Sequence, residues 1–168
     1  MKENNRPDIA AAKFIERLYL LEELSFREIQ EIIYNFSKDI LLNCDSFRKS
    51  HCSEETLERA KYYSEQINQF LLGNIDAQAL RKSRINAIEF YNKITNQPDR
   101  NILEFISKGL FDEEISMFHD YGADMHFSML LFTLLKTEEP MLCQQFVDYL
   151  SRSKIMQTHK SPDNKESS

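Results

Sequence analysis

The chain is poor in the two residues that shape tight turns: its 168 residues include three glycines and four prolines, far below the usual roughly 7% and 5%. A sheet-rich fold needs many reverse turns, and these draw on Gly, Pro, Asn and Asp for their dihedral angles. The scarcity argues against a sandwich or a barrel. Tryptophan is absent, and cysteine occurs only at Cys44, Cys52 and Cys143. Such an odd, sparse set is no disulfide framework and points to a reducing compartment. Long apolar runs are missing as well. The longest, Met129 to Leu135, is interrupted by Thr133 and far too short to span a bilayer. No apolar h-region follows Met1 to Asp8, so no signal peptide is expected. The terminal Lys-Glu-Ser-Ser carries no prenylation signal.

What is present suffices for a core. Apolar residues make up 42% of the chain, with 12 Phe and 7 Tyr, which excludes a disordered protein. The formal charge of −6 and pI near 5.3 make the surface as a whole repel phosphate backbones and hint mildly at a basic partner.

Apolar spacing is helical nearly throughout. Pro7 and Asp8 open a first helix with Ile9, Ala12, Ile15, Leu18 and Leu21 on one face. Ser25 and Glu28 form a capping box for a second, which carries Ile29, Ile32, Ile33, Phe36 and Ile40 at core spacing. Ser53, followed by Glu54 and Glu55, caps a third through Leu57, Ala60, Ile67, Phe70 and Leu71, stopped by Gly73. Asp76 caps a fourth with Leu80, Ile88 and Tyr91, running towards Asn96. After Pro98 the pieces shorten: Asn101 to Lys108, Asp112 to Tyr121, Ser128 to Lys136, and Pro140 to about Ser153. The fold expected is all-α. It comprises a long-helix bundle over 8–96, paired short helices packed as hairpins over 98–155, and a disordered tail over 157–168.

Part of the second half resembles helical-hairpin repeats. Tyr121-Gly122-Ala123-Asp124-Met125-His126 is similar to the end of an ankyrin repeat. Gly109-Leu110-Phe111-Asp112-Glu113-Glu114-Ile115 resembles the inter-helix turn of a tetratricopeptide repeat, and Ala87 to Lys93 its second helix. The internal offset, Lys108 to Lys136 or Phe118 to Phe146, is about 28 residues rather than 33 or 34. Ser128-Met129-Leu130-Leu131 stands where ankyrin repeats have Thr-Pro-Leu-His, and Glu114 occupies a small-residue position. Either resemblance implies a protein-binding surface and no chemistry.

Other constellations carry less. His119-Asp120 resembles the pair that binds metal in the HD phosphohydrolases, but only His51 upstream and Asp148 downstream could complete it. A helix terminus in solvent is the simpler reading. Cys44, His51 and Cys52 could be part of a zinc site. The fourth ligand would have to come from His126 or Cys143, so buried structural cysteines are expected instead. Leu24 to Ile33 resembles the first helix of a helix-turn-helix. Its turn would fall at Tyr34 and Asn35, and its reading face would be Asp39, Leu41, Asn43 and Asp45. That face is acidic or apolar where phosphates demand Lys and Arg, so one uninterrupted amphipathic helix is preferred. Arg81, Lys82 and Arg84 form the densest basic cluster and read as a solvated face.

Met125 to Phe132 stands apart, because its apolar side chains at consecutive positions cannot all face one stripe. The function expected is therefore a non-enzymatic protein-binding module: an adaptor, a chaperone, an antitoxin or immunity protein, or a secreted bacterial effector. It would contact another protein through Tyr121, Asp124, Met125, His126, Phe127, Met129 and Phe132. No catalytic residue, metal, cofactor, nucleic acid or membrane is expected. The expected location is the cytoplasm, or a host cell for an effector. The alternative is a DNA-binding regulator using residues 25–49.

Overall fold

Every described element of the computed structural model, which covers residues 25–43, 52–112, 133 and 142–152, is helical or connects helices. The elements are α1 (Phe26–Phe36), a π-helical segment (Ser37–Leu41), α2 (Glu54–Leu71), α3 (Ala77–Tyr91), α4 (Gln97–Ser107), a 3-10 turn (Lys108–Leu110) and α5 (Leu142–Arg152). The all-α architecture read from the sequence is thus the observed one. The expected helix through Leu21 and the tail over 157–168 lie outside the described residues.

Local chemistry fixes the helix starts. Ser25 Oγ accepts from the Glu28 amide at 3.2 Å, and Glu28 Oε2 accepts from the Ser25 amide at 2.7 Å. Together they satisfy two of the amides that every helix start leaves unpaired. Ser53 and Asp76 cap α2 and α3 through the amides of Thr56 and Ala79. The stop of α2 is a Schellman motif: the Gly73 amide bonds to Phe70 O at 3.0 Å and the Asn74 amide to Gln69 O at 2.8 Å. Gly73 sits at φ +78° with open space where a Cβ would go. Ala in its place therefore meets only backbone strain, with no clash. We expect Gly73→Ala to cost about 1–2 kcal/mol, read as a shifted urea midpoint at constant slope. An unchanged midpoint would mean that the turn adopts another conformation.

Two boundaries differ from the sequence reading. The helix expected to begin at Asn101 begins at Gln97. Asn96 caps it through the Asp99 amide at 3.2 Å, and Pro98 lies in the first turn, where a missing amide costs nothing. The helix expected to run unbroken through Ile40 changes pitch at Ser37, and the Leu42 amide reaches back five residues to Ser37 O at 2.9 Å. Local apolar spacing does not distinguish the two pitches over a single turn.

Packing follows from the faces. α2 and α3 form an antiparallel hairpin, shown by cross-contacts at Arg59–Phe90, Tyr63–Asn86 and Gln66–Ser83. α1 lies against α2, the 3-10 turn and α5, while α4 packs on both α2 and α3. α4 is the central helix: Asp99, Asn101, Ile102, Leu103, Phe105, Ile106 and Ser107 are all buried, and burial on nearly every side marks a helix enclosed by its neighbours. One hydrophobic cluster contains Ile33, Phe36, Ile67, Leu80, Ile106 and Phe146, so the helix after Pro98 shares its core with the helices before it.

Candidate functional site

The seven residues expected to bind a partner, Tyr121, Asp124, Met125, His126, Phe127, Met129 and Phe132, lie outside the described residues. So do His119, Asp120, Cys44 and His51. The described chain enters that stretch at Asp112, which is buried, and includes Thr133 beyond it, helical and 4% exposed.

Two of the polar side chains in the interior, Gln30 and Asp99, tie one helix to the end of another. Gln30 is 1% exposed. Its Nε2 donates to Gly109 O at 2.9 Å and to Phe111 O at 2.6 Å. Those carbonyls belong to the 3-10 extension of α4 and the residue that follows it, where carbonyls lack intrahelical partners. Asp99 makes a similar joint at the opposite end of α4. Its Oδ2 accepts from the Ser53 amide at 3.3 Å and from the Thr56 hydroxyl at 3.1 Å. A capping box normally supplies that second acceptor from the helix's own N3 position. In α2 the N3 residue is Thr56, too short to reach back, and a carboxylate from α4 takes the role. Arg27 Nη2 likewise donates to Leu71 O at the end of α2.

Sequence reading missed Gln30 and Asp99 as joints. A faint signal exists for Gln30, since Phe26, Gln30, Ile33 and Ser37 run at spacings of 4, 3 and 4 and place a polar residue on a core stripe. Asp99 offers none, because an acidic residue in a first turn ordinarily serves its own helix.

Of the expected structural cysteines, Cys143 is buried in the core and Cys52 is half-buried. Burial pushes the Cys52 thiol well above its ordinary pKa, and the charge of Asp99 and a hydrogen bond to it push it further. Nucleophilicity requires the thiolate, and each pKa unit is a tenfold change in its population. We therefore expect iodoacetamide at pH 8.5 to modify Cys52 more than ~10-fold more slowly in native protein than in urea, measured on its peptide by mass spectrometry. Equal rates would show that the thiol is not buried beside Asp99. Among the described residues no three His, Cys, Asp or Glu side chains come together as a metal site. Asp148 is exposed and accepts from Gln144 Nε2 at 3.0 Å.

The basic cluster divides. Arg81 and Lys82 are exposed as expected, but Arg84 turns inward, with its guanidinium 4.4 Å from the Phe111 ring centroid. Desolvation lowers its pKa, Asp112 opposes that shift and Arg81 adds to it. On the other seam of α3, Asn86 Oδ1 accepts from Tyr63 Oη at 2.6 Å and from Arg59 at 3.4 Å. Arg59 also stacks over Phe90.

Tyr34 and Asn35, which a helix-turn-helix would use as its turn, are helical, and the Ser37 amide bonds to Ile33 O and Tyr34 O. Asp39 and Asn43 are exposed, whereas Leu41 is buried at 1%. Among the described residues no helix is long and apolar enough to cross a membrane. No family model matches the chain, and no curated protein or solved structure matches it.

Proposed function

We propose that this chain is a non-enzymatic protein-binding module, with its C-terminal helical hairpins as the contact surface. The supporting observation is the use of three of its buried polar side chains. Gln30, Thr56 and Asp99 are each at most 5% exposed, and each is bonded to the cap or exit of a helix. Catalytic groups, by contrast, converge on a cleft where a substrate can reach them. Side chains consumed as joints build a rigid scaffold, and a rigid scaffold lowers the ordering cost of presenting a surface.

Met125 to Phe132 has six apolar residues in eight positions, more than one helical stripe can bury. Methionines there suit a contact that adapts to its partner. Tyr121, Asp124 and His126 would supply polar contacts beside the apolar anchors Met125, Phe127, Met129 and Phe132. The partner is another protein, met in the cytoplasm or, for a secreted effector, inside a host cell.

The test is recovery of tagged protein from native host lysate, followed by mass spectrometry, for the wild type and for Phe127→Asp/Phe132→Asp. The expected result is one stoichiometric protein partner, lost in a variant that keeps the wild-type circular dichroism melt. Equal retention by the variant would remove these residues from the surface. Co-purifying metal or nucleic acid with no protein would overturn the reading.

A further inference from the structure

We draw no further inference here: the strongest candidate, the partly exposed α2–α3 seam at Arg59, Tyr62, Asn86 and Phe90, lies beside Glu58, Glu65 and Glu89 by helical spacing as well as around the Arg59 guanidinium, so its charge selects no occupant and nothing in the structure shows what covers it.

Discussion

Replacing Phe36 by alanine is expected to destabilise the fold by about 3–5 kcal/mol, through lost transfer free energy and the cavity left behind. Phe36 is fully buried and stands where three helices meet. Its ring lies edge-on to Phe105 of α4 at 5.7 Å, and to Phe146 and Tyr149 of α5 at 4.8 and 5.7 Å. Phe105 and Phe146 also meet edge-on, at 5.9 Å. The cluster therefore cannot collapse into the gap without moving a helix. Each edge-to-face pair adds about 0.5–1.5 kcal/mol beyond area burial, which places the loss towards the upper end of the range. Natural domains are stable by about 5–15 kcal/mol, so the variant would be close to unfolding. Urea denaturation followed by circular dichroism measures this directly. A loss below about 1 kcal/mol would show that α5 does not pack on Phe36. Phe36→Leu, which keeps most of the volume, should fall between wild type and Phe36→Ala.

The second large effect is at Gly109, and its cause is space. A Cβ built there would lie 2.5 Å from Ile67 Cδ1, 3.2 Å from Ile67 Cγ1 and 3.3 Å from Ile33 Cγ2. Ile33 and Ile67 are fully packed, at 1% and 0% exposure, so neither can swing into solvent to make room. Gly109→Ala should therefore cost about 1–3 kcal/mol by overpacking. The geometry also names its remedy. Ile67→Val deletes the Cδ1 atom responsible for the closest approach, at a cost of its own of about 0.5–1.5 kcal/mol. In the double variant the two losses should fall short of their sum by about 1 kcal/mol, since each change relieves the other. Additive losses would mean that the 3-10 turn shifts away from α2 rather than pressing on it. The same shift would strain the Gln30 bonds to Gly109 O and Phe111 O, tying this position to the α1 joint.

The starts of α1, α2 and α3 were legible because their signals are local. Ser25 with Glu28, Ser53, Asp76 and Gly73 each act within four residues of chain, and each was read in its observed role. The core positions Ile29, Ile32, Ile33, Phe36, Ala60, Ile67 and Leu80 followed from helical spacing for the same reason. Arg84 was misread as solvated because its neighbours Arg81 and Lys82 are solvated. Its inward turn depends on the Phe111 ring, 27 positions away, and on Asp112. The partner-binding residues from Tyr121 to Phe132 rest on sequence pattern alone, and the lysate experiment on Phe127 and Phe132 addresses them.

By itself the sequence determined the helical class, the caps that start α1, α2 and α3, the Gly73 stop and most of the apolar stripe on α1 and α2. These are properties of residues one to four positions apart, where hydrogen-bond reach and the 3.6-residue turn settle the outcome. Only the tertiary structure decided that α4 is the enclosed helix and that Gln30 and Asp99 reach helix ends 43 to 81 residues away. It alone decided, too, that a side chain at Gly109 would press on Ile67 and Ile33. Those outcomes depend on which helix lies beside which, and no spacing within a single helix encodes what its neighbour brings to the contact.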